Sequence, residues 1–417
     1  MNDNITRRQL LVGTAALAGA SAFPMPSIAQ SAPVKLGLLT VKTGPLAQAG
    51  IQMEQGVITW LKEHDYKMGG RKVELVSADT GGKPAGAKTK AQALIERDKV
   101  DVIVGPLAAF EILAISDYVK EHKVPTLSHA GGDDLTQRTP NPYFLRPSAT
   151  SSQAMHPMGH YAVTEMGKKR AVTINFDFAF GHEQQGGFQA AFEQGGGCVV
   201  NRLYAPLGTP DYTPYLAQMK DCDVVCQGFA SSAPVAFMKQ YAELGYKFPV
   251  VAGETGADDA LLPAFGDEAL GMMSCSPYTL DLENDSNKRF VAAMLREFNV
   301  VPGFNAAGPY VICDVVNAGL EAVAGDTSDR DKLMAALKAV NLKETPRGPI
   351  SFDQFGNVVG SFYVRRMEKA SGNQYGLKLW NRTVKTYNNV GQFWDWPERD
   401  FLAKPVYSRD YPPMNKC

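Results

Sequence analysis

The sequence predicts an α/β fold of two doubly wound, parallel-sheet lobes joined by a hinge. Three observations carry this expectation. Short β-branched runs alternate with longer stretches of helical periodicity, the pattern of parallel strands covered by helices on both faces. The alternation runs from Val34 to Ser128 and starts again at Ala171, so it describes two similar units with a joint near Arg146-Pro147-Ser148. The chain has 417 residues, more than a single hydrophobic core usually serves.

The elements follow in order. Val34–Thr40 reads as a buried strand, and Ala47–Glu63 as a helix with Val57, Ile58 and Leu61 on one face. Val73–Ala78, Asp101–Gly105 and Val124–Ser128 read as further strands, with helices over Ala85–Arg97 and Ile112–Glu121 between them. The second series has strands at Ala171–Ile174, Cys198–Val200, Asp223–Cys226 and Val250–Ala252. Beyond Pro277 three helices are expected, over Asn287–Phe298, Gly308–Ala324 and Asp329–Val340. From Ile350 the chain carries short aromatic strands (Phe352, Phe362, Tyr363, Trp380, Tyr387, Phe393, Trp394), read as material shared between the lobes. The expected division places residues 30–147 and 279–350 in the N-terminal lobe, and 148–278 and 351–417 in the C-terminal lobe and tail.

The N-terminus looks like an export signal. Arg7-Arg8 precede an apolar run, Leu10–Ala20, that is too short and too rich in Ala and Gly to be a permanent span. Ser27-Ile28-Ala29 offers small residues for cleavage, so residues 1–29 read as a signal peptide of twin-arginine type. An ordinary secretory signal that contains Arg-Arg would lead to the same compartment. The formal charge of −1 argues against a nucleic-acid partner or an anionic membrane surface. The longest later apolar stretch, Ala306–Val323, is interrupted by Asp314 and Glu321, so the mature chain is not expected to sit in a membrane.

The six cysteines show no zinc pattern: Cys222 and Cys226 lack a His-rich partner segment. Cys226 and Cys313 lie in apolar runs and read as buried thiols. Cys198 and Cys222 each open a strand-like run and are the expected disulfide pair; Cys417 has no assigned partner. Catalytic signatures are missing. There is no G-x-S-x-G elbow and no phosphate loop. His182-Glu183 begins like a zincin helix, but Gly186 stands where the second His belongs. These two residues read as the first turn of a helix, where a carboxylate suits the dipole. Asp133-Asp134 and Asp258-Asp259 read as helix N-caps, and Gly195-Gly196-Gly197 as a helix stop. No cofactor, metal or catalytic residue is expected, and the chain reads as a binding protein rather than an enzyme.

Ligands of parallel sheets bind where loops converge at the carboxyl ends of the strands. Six loops therefore define the expected cleft: Thr43–Gly50, Pro106–Glu111, His129–Asp134, Asp177–Gly181, Gly228–Ser232 and Gly253–Asp259.

At these loops the sequence resembles the leucine/isoleucine/valine-binding proteins, type I periplasmic solute-binding proteins of ATP-driven importers. The resemblance is carried by Thr43-Gly44-Pro45-Leu46-Ala47, Val104-Gly105-Pro106-Leu107, Pro125-Thr126-Leu127-Ser128, Tyr143-Phe144-Leu145-Arg146 and Phe180-Gly181, with Gly253 and Gly271-Met272 in support. It implies the periplasmic binding protein-like I fold, a periplasmic location, a monomer, and a permease–ATPase complex as partner. In that family, first-lobe donors hold a ligand carboxylate and second-lobe acceptors, including an acidic side chain, hold its ammonium. Matched onto this chain, a family Ser falls on Ala109, a Thr on Gly132, an aromatic residue on Ala49, and the acidic residue on Thr255, with Glu254 beside it. The amino-acid clamp is thus depleted, and an ammonium buried without its acceptor costs several kcal/mol. The expected ligand is a small organic acid without the α-ammonium, such as an aromatic carboxylate; a branched-chain or other amino acid is the alternative. A ligand-sensing regulator and an exported α/β hydrolase are further alternatives. Candidate ligand-binding residues are Ala49, Ala109, Phe110, Ala130, Gly131, Phe180, Phe229, Thr255 and Tyr310. The backbone N–H groups of Ala109, Phe110 and Gly131 are the expected carboxylate donors, and Phe178 and Tyr278 are further candidate walls. Arg146 either attracts a carboxylate or makes a structural ion pair at the joint.

Overall fold

A computed structural model describes residues 32–373 and 375–417; the export signal expected over residues 1–29 lies outside them. Two sheets organise the described chain. The first has the order β2-β3-β1-β4-β5-β6, from β1 (Val34–Thr40), β2 (Lys67–Met68), β3 (Arg71–Asp79), β4 (Val102–Val104), β5 (Thr126–Leu127) and β6 (Phe144–Leu145). All its pairings are parallel except that of the short β2. The second contains β7 (Arg170–Phe176), β8 (Cys198–Ala205), β9 (Val224–Gly228), β10 (Val250–Ala252), β11 (Met273–Ser276), β12 (Ile350–Phe352), β13 (Val358–Lys369) and β14 (Leu379–Val390). Its order is β12-β13-β11-β10-β9-β7-β8, with β14 on β13. The strands β7 to β11 pair in parallel and β12 to β14 antiparallel.

Each parallel core repeats one order, in which the first strand lies between the second and the third: β3-β1-β4-β5 and β8-β7-β9-β10. The direction of winding reverses beside β1 and beside β7, and crevices for ligands open at such points. β1 is apolar along nearly its whole length because helices cover both faces: every residue but Lys35 is buried.

The helices are α1 (Ala47–Glu63), α2 (Pro84–Gln92), α3 (Ala109–Glu121), α4 (Met155–Thr164), α5 (Ala179–Gln194), α6 (Thr213–Leu216), α7 (Ala233–Glu243), α8 (Asp285–Phe298), α9 (Phe304–Ala322), α10 (Arg330–Lys338) and α11 (Glu398–Leu402). Side-chain caps set two of the starts. Asn284 accepts from Asn287 N at the head of α8, and Asp329 from Lys332 N at the head of α10. α8 ends on Asn299 in the left-handed region, φ 54°. α9 packs along α1: Trp60 Nε1 donates to Asp314 Oδ1 at 2.7 Å, and a Cβ on Gly56 would lie 2.2 Å from the Ala306 carbonyl oxygen. Only glycine permits that approach.

Four expectations change. α9 begins at Phe304, before the expected Gly308, because Pro309 sits inside the helix instead of opening it. The segment after Ile350 is not a set of short shared strands. It adds β12 and a pair of 12-residue strands to the second sheet. Register shifts between Gly360 and Phe362 and between Val364 and Arg365 break the alternation that would have marked their length. The Asp258 side chain does cap a turn, accepting from Ala260 N, but Asp133 Oδ1 accepts from the distant Ser151 N.

The fourth change concerns the disulfide, which joins Cys198 to Cys417. Cys198 opens β8, the edge strand, where the returning tail can reach it. Cys222 precedes β9, and β7 stands between β8 and β9, so the expected Cys198–Cys222 pairing is excluded. Cys222, Cys226, Cys275 and Cys313 are buried free thiols. The bridge closes a loop with a sequence separation of 219 and pins a tail that Gln189 and Tyr204 also hold through the carbonyls of Pro413 and Arg409. Cys417→Ser should therefore lower the unfolding free energy by about 2–4 kcal/mol. Urea denaturation of oxidised wild type and variant measures this, and equal stabilities would contradict it. No helix of the described residues is long and apolar enough to cross a membrane.

Candidate functional site

A pocket of about 520 Å³ lies where the carboxyl ends of the two sheets meet. All six loops expected to form the cleft contribute lining residues. They are Leu46 and Ala49 after β1, Leu107 to Ala109 after β4, His129 and Gly131 after β5, Phe178 and Phe180 after β7, Ala230 after β9, and Glu254 and Thr255 after β10. Ala149 and Ser151, on the segment crossing between the sheets, and Phe304 and Asn305, at the head of α9, complete the wall.

One pole of the pocket is built from backbone. The pocket reaches the N-terminus of α3, whose start Glu111 fixes: one carboxylate oxygen accepts from Ala108 N at 3.1 Å and the other from the Thr80 hydroxyl. Ala109 and Phe110 are the first two helical residues, and their N–H groups have no acceptor among the described residues; neither has Gly131 N–H. Donors at a helix N-terminus, with the dipole behind them, form a ready anion site.

The apolar wall is aromatic. Phe178 stacks with Phe176 and Phe180 at centroid distances of 5.6 and 6.0 Å and meets Phe110 edge-on at 5.2 Å. Across the pocket, Phe304 meets His129 edge-on at 5.7 Å. Ala109 and Ala49 add small apolar surfaces to the wall.

The second lobe offers Glu254 and Thr255. Glu254 is buried; its Oε1 accepts from Gln184 Nε2 at 3.0 Å, and its Oε2 has no partner among the described residues. Burial, with a further push from Asp133, raises this carboxyl to about 8, so it is mostly protonated at neutral pH. The Thr255 hydroxyl donates to the Phe229 carbonyl at 2.7 Å. Among the described residues, no Lys or Arg lines the pocket.

The candidate residues divide accordingly. Ala49, Ala109, Gly131, Phe180 and Thr255 line the pocket. Phe110 stands behind the wall, its ring edge-on to Phe178, and is the second residue of α3 after the wall residue Ala109. Ala130 is buried behind it, its carbonyl accepting from Arg146 Nε at 2.9 Å. Two placements need correction. Phe229 points into the lobe core against Phe176, Tyr212 and Phe237, and only its carbonyl faces Thr255. Tyr310 lies two turns into α9, packs on Phe290 and donates to Glu63 Oε2 at 2.8 Å, on the α1 side of the first lobe. Tyr278 likewise packs on Phe290 in the core. Sequence reasoning missed His129, Ser151, Phe304 and Asn305 as wall residues. His129 stood in an expected loop, but a lone histidine with no partner at ligand spacing gave no signal.

Behind the pocket a polar network ties the lobes together. Glu183, in α5 of the second lobe, accepts from Gly132 N at 3.1 Å and Asp133 N at 2.9 Å in the first. Its role is therefore an acceptor across the lobes, beyond the expected dipole effect. Arg146 is fully buried and structural: it donates to the carbonyls of Ala130, Gly131 and Gly132 and to Asn357 Oδ1. Burial, together with the Asp133 charge, pushes Glu183 up to about 8. Burial also lowers Arg146 to about 10, against the pull of Asp133 and Glu183.

Comparison with known proteins agrees with this architecture. Residues 33–373 match the periplasmic binding protein family. The chain is 28% identical over 371 residues to Leu/Ile/Val-binding protein homolog 6 of Brucella melitensis, covering 86% of this chain and 92% of that one. A solute-binding protein of an ABC transporter from Rhodopseudomonas palustris BisB5, solved with 3,4-dihydroxybenzoic acid, superposes with a TM-score of 0.81 at 33% identity, over 86% of this chain and 98% of that one. Another solute-binding protein from R. palustris, solved with benzoate, gives a TM-score of 0.79 at 27% identity, over 84% and 96%. With the family matched over most of its length, this chain belongs to the periplasmic binding proteins, as a substrate-binding component of an ABC transporter in the leucine/isoleucine/valine-binding family.

Proposed function

We propose that the protein captures a small aromatic carboxylate in the periplasm and delivers it to an ABC permease and its ATPase. The observation that carries this reading is the free N-terminus of α3 opening into a pocket walled by Phe178, Phe180 and Phe304. The backbone donors of Ala109, Phe110 and Gly131 suit a carboxylate, and the aromatic faces suit a ring. The aromatic acids bound by the two R. palustris relatives agree with it. Ala49, Phe180 and Thr255 complete the proposed contact set.

Capture proceeds by closure of the lobes, taken as residues 30–147 with 279–350 and 148–278 with 351–417, after export through the twin-arginine signal. Ligand bridging both lobes favours the closed form by its differential affinity, and the closed form is what the permease reads. The protein acts as a monomer.

A second reading, an amino acid, draws on Glu254. Its Oε2 has no partner among the described residues and belongs to a residue of the pocket wall. Against this, Ala109, Gly132 and Ala49 remove the other side chains of an amino-acid clamp. A thermal-shift screen separates the two. A ligand at 100 times its Kd stabilises the native state by about 2.7 kcal/mol. Benzoate and hydroxybenzoates should raise the Tm while leucine, isoleucine and valine leave it unchanged; the reverse pattern would overturn the proposal.

A further inference from the structure

The pocket contains a problem of charge. A carboxylate entering it leaves water for a wall to which the described residues contribute no Lys or Arg, and a buried anion without a counter-charge costs several kcal/mol. The α3 terminus supplies roughly half a unit of positive charge. One wall residue can become a full cation. His129 follows β5, lies two residues before the Gly131 donor, and is 5% exposed. Neither of its ring nitrogens has a hydrogen-bond partner among the described residues, although most buried polar groups find one.

We propose that His129 is the counter-ion of the ligand carboxylate: neutral in the protein without ligand, it takes up a proton as the ligand enters, so that imidazolium and carboxylate are buried as a pair. This rests on the aromatic-carboxylate reading and adds how the charge is met. The surroundings of His129 agree. Burial pushes it down to about 4, and only a polar approach of the Asn305 side chain, outside hydrogen-bond geometry, acts in the other direction. From α9, Phe304 offers a ring and Asn305 an amide whose Nδ2 donates to Asp258 Oδ2 at 2.9 Å. On its own loop, Asp133 turns away to Ser151 N, beside Arg146. From the second lobe, Glu254 carries a proton at neutral pH. Asp258, raised to about 6 by burial and the Asp259 charge, is engaged by Phe304 N and the Asn305 amide, so none of these groups makes an ion pair with the ring.

The sign of the linkage follows. Ligand raises the imidazole above its free value of about 4, so affinity falls as pH rises between the free and bound values, by up to about tenfold per unit, and levels off above the bound value.

Calorimetric titration of the mature protein with benzoate and 4-hydroxybenzoate at pH 6, in buffers of different ionisation enthalpy, tests this. Uptake of about one proton per ligand is expected. His129→Gln should abolish the uptake and weaken binding at least about tenfold, while Glu254→Gln should keep the uptake. Wild type binding with no proton uptake, or uptake persisting in His129→Gln, overturns the proposal and leaves the ligand reading intact. Failure of every aromatic acid to bind overturns both. Should the His129 variant misfold, 15N spectra of histidine-labelled wild type give the same decision: one imidazole must pass from neutral to cationic on adding benzoate, and none doing so contradicts the proposal.

Discussion

Arg146→Met is expected to cost about 3–5 kcal/mol of stability, the largest effect of any single substitution considered for this protein. The side chain is fully buried, and its guanidinium donates to three successive carbonyls, those of Ala130, Gly131 and Gly132. Methionine fills a similar volume but leaves the carbonyls of Ala130 and Gly131 without donors, while that of Gly132 keeps only the Leu135 N–H. Each buried unsatisfied group costs roughly 1–3 kcal/mol. The substitution also removes the positive charge beside Asp133 and Glu183, and so pushes both carboxyls further towards protonation. Because the three carbonyls belong to the loop that carries His129 and the Gly131 donor, ligand affinity should fall with stability. Urea denaturation gives the first quantity and calorimetry the second. A loss below about 1 kcal/mol would show that the loop holds itself without the guanidinium. Arg146→Lys should fall in between, because an ammonium keeps the charge but lacks the planar fork.

Ala109→Pro is expected to weaken ligand binding by roughly 10- to 150-fold while leaving the fold intact. The design follows from local geometry. Ala109 is the first residue of α3, a position where proline is well tolerated and only an N–H outside the helix ladder is lost. Ala108, before it, already has φ −101° and ψ 149°, the extended conformation that a following proline demands. The variant therefore deletes one donor to the carboxylate, worth about 1.5–3 kcal/mol when the acceptor is charged. Unfolding free energy should stay within about 1 kcal/mol of wild type. Unchanged affinity in the folded variant would mean that the carboxylate does not sit on α3.

Much of this arrangement was legible in the sequence, for identifiable reasons. Strands such as Val34–Thr40 and Val250–Ala252 are buried on both faces, so continuous apolar runs betray them. The six loops could be placed because ligand sites of parallel sheets follow from strand direction alone. Small residues at Ala49 and Ala109 were informative because what they lack, bulk and a hydroxyl, is a local property. The remainder depends on contacts between distant segments. Phe229 and Phe180 look alike in sequence, yet one turns into the core of its lobe and the other into the pocket. Tyr310 was misplaced because α9 lies along α1, which no local pattern records. Glu183 and the lone His129 take their character from the opposite lobe and from burial. The partner of Cys198 comes from the far end of the chain, whereas the nearer Cys222 is separated from it by a strand.

The central claim is that the pocket takes a carboxylate carried by an aromatic ring and does not require an α-ammonium. The most direct measurement is calorimetric titration of ligand-stripped protein with a matched pair, phenylalanine and 3-phenylpropanoate, which share ring, chain length and carboxylate and differ only in the ammonium. 3-Phenylpropanoate should bind, and phenylalanine should bind at least about tenfold more weakly, since its ammonium would be buried beside a protonated Glu254 and few other acceptors. Tighter binding of phenylalanine would contradict it, and would make Glu254 the ammonium acceptor of an amino-acid-binding protein.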